Sequence, residues 1–275
     1  MPGRGGRGGG RGGGNREPLP RSVQVSKKLS RLLRHAAAEE GIHLDAAGYA
    51  NVQEVLNNRL LRGFKVTFDE LRELVKDNDK QRFAMIPVGT TAEGGDDAVA
   101  LSDDPKDWLL RANQGHSLKV ESEGLLKPIT AENRPEVAVH GTTHAAWLLI
   151  VASGGLKSMA RNHVHFASGL PAGFKSIGEG NDVTANDTAA PVISGMRNSS
   201  TVLMFLDVVK AMENGLKLWT SENGVILTEG DTQGLVPLDL FQRVEDRTGE
   251  GVLLQDGKVV KEAPASWAGK GRGKG

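Results

Sequence analysis

Five short runs concentrate side chains suited to phosphate chemistry: LSRLLRHA (29–36), RANQGHS (111–117), VHGTT (139–143), RNHVHFA (161–167) and GMRNSS (195–200). They carry Arg34, His35, Arg111 and Arg197, with His116, His140, His144, His163 and His165 in or beside them. A guanidinium is a planar fork that stays charged and meets two phosphate oxygens at once. The set predicts a grip on a phosphate and on a second, nucleotide-like ligand.

Each run has a chemistry and a plainer reading. Adjacent side chains on a helix diverge by about 100°, so Arg34 and His35 share a ligand only if it lies across their edge; otherwise they are a solvated face. Arg111 follows the apolar Trp108–Leu110 and precedes a polar turn in which Gly115 lets a ligand approach the backbone. His116 and Ser117 there can bond a ribose or a phosphate, or simply satisfy the turn. His140-Gly141-Thr142 leaves a strand and enters a helix, where exposed N–H groups favour an anion or a ribose hydroxyl. His163 and His165 alternate on a strand and face one way. No third ligand stands at an obvious spacing, so no metal is expected. Arg197 precedes an apolar strand and by itself reads as surface.

The elements that position these residues are legible from periodicity. Leu29, Leu32, Leu33, Ala36 and Ala37 predict an amphipathic helix over 26–40, with Ser26 at its cap and Gly41 at its end. A second helix starts near Asn51 with Val52, Val55 and Leu56. A third starts at Thr67-Phe-Asp-Glu70, a capping-box pattern burying Leu71, Leu74 and Val75. Arg82–Ile86 reads as a strand ended by Pro87, and strand signals return at 108–110 and 118–120. The second half is strand at 137–139, 163–167 and 201–208, with a helix over 145–152 that turns Trp147, Leu148 and Val151 inward. Strands 217–220 and 225–228 pair across a turn with Asn223-Gly224 at its tip. Residues 89–104 and 173–190 read as loop insertions.

Composition narrows the partners. The 275 residues include 34 basic and 34 acidic side chains, so the chain is not a general polyanion binder. Acid gathers in 93–107 and base in 27–35 and at the ends. Residues 1–14 hold nine Gly and three Arg, and 269–275 alternate Gly with Lys or Arg. Such stretches bury too little apolar surface to offset chain entropy, and are expected to be disordered. With no cysteine there is no disulfide, zinc–thiolate site or thiol catalysis. No apolar run approaches the ~18 residues of a membrane span. The Gly/Arg start has no secretory apolar region and too much Gly for a mitochondrial presequence.

In order and spacing, LSRLLRHA, RANQGHS, HGTT, ARNHVHFA, GMR and SENGVILTEG resemble the RNA 2′-phosphotransferase family, the NAD-dependent enzymes that finish tRNA splicing. The resemblance runs from about Val25 to Val244 and leaves out the ends and both insertions. It implies an α+β protein. An N-terminal winged-helix-like RNA-binding lobe (22–120) would follow a Gly/Arg tail (1–21). An ADP-ribosyltransferase-like, β-rich NAD lobe (121–247) would precede a C-terminal tail (248–275). It also implies the reaction: a splice-junction 2′-phosphate attacks the ribose of NAD and nicotinamide leaves. The ribose O2″ then attacks the phosphate, giving 2′-OH RNA and ADP-ribose 1″,2″-cyclic phosphate. The alternative is a transferase that caps terminal phosphates of RNA or DNA and stops after the first step.

The family's catalytic set falls on Arg34, His35, Arg111 and Arg197. The resemblance places Arg34, His35 and Arg111 on the RNA phosphate and Arg197 where phosphate and NAD meet. His140 would bond a ribose of NAD and His165 would stack near nicotinamide. His116, Ser117, Gly141, Thr142 and Arg161 are further candidates for NAD contact. An apolar residue near Val225, where many ADP-ribosyltransferases place Glu, argues against protein or polymer modification. A monomer working inside the cell, in cytoplasm or nucleus, is expected.

Overall fold

The computed structural model describes residues 18–77, 80–89, 102–118, 125–171, 174–177, 196–197 and 199–268. Most of both insertions and the glycine-rich ends lie outside the described residues. The fold mixes helix and antiparallel sheet, as expected of an α+β chain.

The first helix, α1 (Arg21–Arg31), continues as a π-helical turn over Leu32–Ala36. Val25, Leu29, Leu32, Leu33 and Ala36 are its buried stripe. It starts five residues before Ser26, because Val25 extends the apolar stripe back by one turn. Pro20 occupies the cap position without a side-chain cap, and Gln24 N donates to its carbonyl at 3.1 Å. The chain expected as tail up to residue 21 therefore already enters the helix. Gly41, at φ +70°, ends the segment. A π turn takes an extra residue per turn and recurs at functional sites; here it holds Arg34 and His35.

Three short helices follow: α2 (Val52–Asn57), α3 (Arg59–Arg62) and α4 (Phe68–Lys76). Asn51, Asn58 and Thr67 cap them through their side chains. The capping box at Thr67 is half-made, since Glu70 gives its carboxylate to Arg21 Nε at 2.7 Å instead. Strands β1 (Ala50–Asn51), β2 (Phe83–Pro87) and β3 (Trp108–Ala112) form an antiparallel sheet in the order β1-β3-β2. Leu118 lies outside any strand. Helices and sheet share one core built from Leu29, Leu32, Val55, Leu71, Phe83 and Leu110.

From residue 125 onward strand outweighs helix among the described residues. β4 (Lys127–Pro128), β7 (Val164–Phe166), β9 (Trp219–Thr220) and β10 (Ile226–Thr228) form a sheet in the order β4-β9-β10-β7. β5 (Val139–Thr142), β8 (Val202–Leu206), β12 (Phe241–Asp246), β13 (Gly251–Gln255) and β14 (Lys258–Val259) form the order β14-β13-β12-β8-β5. β6 (Gly155–Lys157) pairs with β11 (Leu235–Pro237). The helix α5 (His144–Ser153), capped by Thr143, buries Trp147 and Ile150. Val151, expected inside, is 36% exposed, and Leu148 is half-buried. The contact face is the narrow i, i+3 edge, not the wide arc expected.

Residues expected as a C-terminal tail from 248 are partly core. β13 pairs with β12, and Trp267 is 5% exposed in the same cluster as Trp147 and Phe166. His144 stacks on Trp267 with ring centroids 3.8 Å apart, and its Nε2 bonds buried Asp246 Oδ1 at 2.6 Å. The sequence reading missed this because polar Gly/Lys spacing at the very end masked a short β-hairpin and one tryptophan.

Candidate functional site

Arg34 is where the site begins. The π turn lays its guanidinium over the RANQGHS turn. Gly115 is at φ +85°, a left-handed conformation that favours glycine, and a Cβ there would only make ordinary contact, 3.6 Å from Arg34 Nη1. The glycine thus serves the turn's own backbone, and the protein's own arginine lies against it. Ser117 N and Leu118 N both donate to the Arg34 carbonyl. Arg34 Nε and Nη2 are buried without a hydrogen-bond partner. Burial, then the charges of Arg82 and Arg161, lowers its pKa to about 10. It stays charged at neutral pH, with two donors left over.

Arg34 lines a cavity of about 180 Å³. Arg34, Lys80, Arg82 and Arg161 line it with cationic side chains, and His140 and His165 add imidazoles. Gln114, Gly141, Met196 and the apolar Val139, Phe166 and Ala167 complete it; no described lining residue carries a carboxylate. The described lining thus gathers four cations and no carboxylate, a potential that favours an anion.

The two imidazoles are neutral, and each presents an acceptor. His140 Nδ1 meets the His165 carbonyl at 2.8 Å. A carbonyl only accepts, so Nδ1 holds the proton and Nε2 keeps its lone pair. Burial, against the raising effect of that bond, lowers the His140 pKa. Burial, then Arg161, lowers His165 to about 3. Its ring bonds the backbone of His163, and its Nε2 is buried without a partner. Acceptor nitrogens suit ribose hydroxyls, whereas the guanidinium groups suit phosphates. These orphaned atoms fit a ligand that carries both, as NAD does.

Gly141 lies inside β5, paired with Leu203, two residues before the helix cap. Its role is closeness rather than a helix N-terminus. A Cβ there would fall 2.6 Å from Met196 Sδ and 2.9 Å from Ser200 Oγ. The segment that carries Arg197 can therefore pack on β5. Thr142 pairs with Val202 in the same strand and does not line the cavity.

The remaining predicted residues do not line this cavity. Arg197 is exposed beside Met196, near enough for its charge to lower Arg161 after burial has done so. His35 is exposed, with Nδ1 2.9 Å from Ser117 Oγ. Ser117 thus holds His35 rather than lining the cavity. His116 is buried behind Arg34, its Nε2 without a partner, and burial followed by Arg34 lowers it to about 4. Arg111 is 8% exposed. Its Nη2 donates to Glu222 Oε2 at 2.8 Å, and its guanidinium lies 4.6 Å over the Tyr49 ring. Arg111 therefore faces the turn between β9 and β10 instead of the cavity.

That turn is a clamp the sequence did not announce. Besides Glu222, Asn223 Nδ2 donates to the Lys80 carbonyl at 3.0 Å. Lys80 and Arg82 were also missed. Both precede β2, with Gln81 between them at φ +38°, so no strand alternation announced them. Val225, expected near the ligand, is 1% exposed and packs with Leu125, Leu126 and Leu227. A side chain there points into core, so its apolar character does not bear on the cavity. His163 faces Glu229 at 3.7 Å, and among the described residues no group of three metal-ligating side chains occurs.

The fold and the site define a protein with a cation-lined cavity, free of carboxylates among its described lining, between a helical N-terminal part and a sheet-rich C-terminal part. The family model "RNA 2′-phosphotransferase, Tpt1 / KptA family" matches residues 20–230. The chain is 38% identical over 245 residues to "tRNA 2′-phosphotransferase 1" of Danio rerio, covering 88% of this chain and 92% of the relative. It is 36% identical to "tRNA 2′-phosphotransferase" of Saccharomyces cerevisiae, covering 82% and 84% of the two chains. The human "tRNA 2′-phosphotransferase 1" is 35% identical, covering 81% and 77%. The chain belongs to the RNA 2′-phosphotransferase family, and is a transferase.

Proposed function

We propose that the protein moves the 2′-phosphate of ligated tRNA onto NAD, leaving 2′-OH RNA, ADP-ribose 1″,2″-cyclic phosphate and nicotinamide. The observation that carries the reading is the cavity itself, with four cations, two neutral acceptor imidazoles and no carboxylate among its described lining. Bound NAD supplies an electrophilic ribose carbon and a departing nicotinamide. His140 and His165 orient ribose hydroxyls through Nε2. Arg34 and Arg161 hold phosphate oxygens, and alignment is their main contribution to the first step. Arg197, at the rim, stabilises charge that grows on the phosphate in the second. His35, held by Ser117, protonates the departing 2′-oxygen in this reading. Arg111 meets the RNA phosphate by exchanging Glu222 for it. His116 supports Arg34 from behind.

In this reading residues 22–120 form a winged-helix-like RNA lobe, supported by their own core and three-stranded sheet. The sheet-rich remainder is the ADP-ribosyltransferase-like lobe. The enzyme works without a metal, as a monomer inside the cell, in cytoplasm or nucleus. Incubation with an internally 2′-phosphorylated RNA, with and without NAD, tests the proposal. Cyclic phosphate formed only with NAD is expected. ADP-ribosylated nucleic acid that accumulates without cyclic phosphate would instead make the protein a phosphate-capping transferase.

A further inference from the structure

A second concavity, a groove of about 890 Å³, adjoins the cavity, and Lys80 and Arg82 line both. Its long wall is α1. Ser22, Ser26 and Ser30 recur at every fourth position, and Lys27, Arg31 and His35 form the neighbouring row; all six line the groove. Four-residue spacing puts each row on one stripe of the helix, at about 6 Å per step. The second row ends on His35 and the first leads to Arg34. The opposite wall, from α4, carries Glu73 and Asp77. Arg21 closes the far end through Glu70 and the Phe64 carbonyl.

We infer that this groove is the track of the RNA strand flanking the 2′-phosphorylated nucleotide, with its backbone laid against the Ser22/Ser26/Ser30 and Lys27/Arg31 face of α1. The inference rests on the function proposed above. Serine hydroxyls and basic side chains in register are what phosphate and sugar oxygens require, and they read no base. The acidic α4 wall repels phosphate, so the strand lies along α1. From Ser22 to Ser30 the helix rises about 12 Å. At about 3.4 Å per stacked nucleotide this holds three to four nucleotides.

The test compares 2′-phosphorylated oligoribonucleotides from a dinucleotide to an octamer, by binding and by turnover. Affinity is expected to rise until about four nucleotides extend on one side, then level. Lys27→Ala with Arg31→Ala should weaken the octamer on the order of tenfold at low salt. Loss of two contacts should also cut its log–log salt slope by about 1.4. The dinucleotide should change far less. Lys28→Ala, which removes the same charge outside the groove, is the control and should cost less than Lys27→Ala. Glu73→Gln with Asp77→Asn should tighten octamer binding. Equal losses on dinucleotide and octamer, equal effects of Lys27 and Lys28, or affinity independent of length would overturn the track. Length-dependent binding by wild type without NAD consumption would sink the proposed reaction and leave the track standing.

Discussion

At the scale of single residues, what matters is which hydrogen-bonding atoms are left over. Arg34 Nε and Nη2 and His165 Nε2 are buried without partners. An unpaired buried polar atom costs about 1–3 kcal/mol, a cost a bound ligand repays. Arg197 differs, being exposed and engaged through charge with Arg161. If its work falls in the second step, Arg197→Ala should uncouple the two products. Nicotinamide release would then outrun cyclic phosphate by on the order of a hundredfold, measured on one RNA by chromatography of both. Equal slowing of the two products would move its role to the first step. Ser117 and Gly115 show how sequence can name a residue yet miss its role: Ser117 holds the protein's own His35, and Gly115 supplies the positive φ of its turn.

Elements explain why those residues meet. The π turn at the end of α1, the turn around Gly115 and strands β5 and β7 come from distant parts of the chain and converge on one cavity. Residues 251–267, beyond the 20–230 family match, contribute β13, β14 and Trp267 to the sheet-rich part. Trp267 is buried and covers the His144–Asp246 pair at the start of α5. Trp267→Ala is expected to cost about 3–5 kcal/mol, read as a lowered midpoint of chemical unfolding. A loss under 1 kcal/mol would mean that the C-terminal segment only rests on the surface. Periodicity found α2, α4 and the β9–β10 hairpin. It missed the C-terminal hairpin because two short strands among polar residues give too few alternations to register.

For the whole molecule, buried neutral histidines set a pH dependence. Burial holds His116 at about 4 and His165 at about 3, below the ordinary 6.5, and lowers His140 and His163 as well. A folded pKa below the unfolded one means that the unfolded chain takes up protons first. Stability is therefore whole above pH 6.5 and is lost as pH falls toward those folded values, by about 1.4 kcal/mol per pH unit for each proton. The melting temperature should fall between pH 6.5 and 5, above the usual carboxylate range, and His116→Asn should flatten the slope. A flat profile in wild type would refute it. The Gly/Arg end is expected to act on affinity alone. Deleting residues 1–16, short of the Leu19 and Pro20 carbonyls that take bonds from Gln24, should leave turnover of a short 2′-phosphorylated RNA nearly intact. Binding of whole tRNA should weaken at low salt. Equal binding with and without the segment would count against that role.

The sequence by itself determined the family, through six runs in fixed order, and with them the arginines and histidines worth watching. It also determined the longer helices and about half of the strands, because periodicity and capping are local, but not the short helix Val208–Glu213, which starts where strand was expected. It did not determine which atoms face the ligand. Arg111 turned to Glu222, Val225 turned into core, and Lys80 and Arg82 entered the cavity. Those outcomes depend on contacts between residues some 30 to 140 positions apart, and no local pattern encodes them. Only the tertiary structure decided that the cavity has no carboxylate among its described lining, and that a striped face of α1 leads into it.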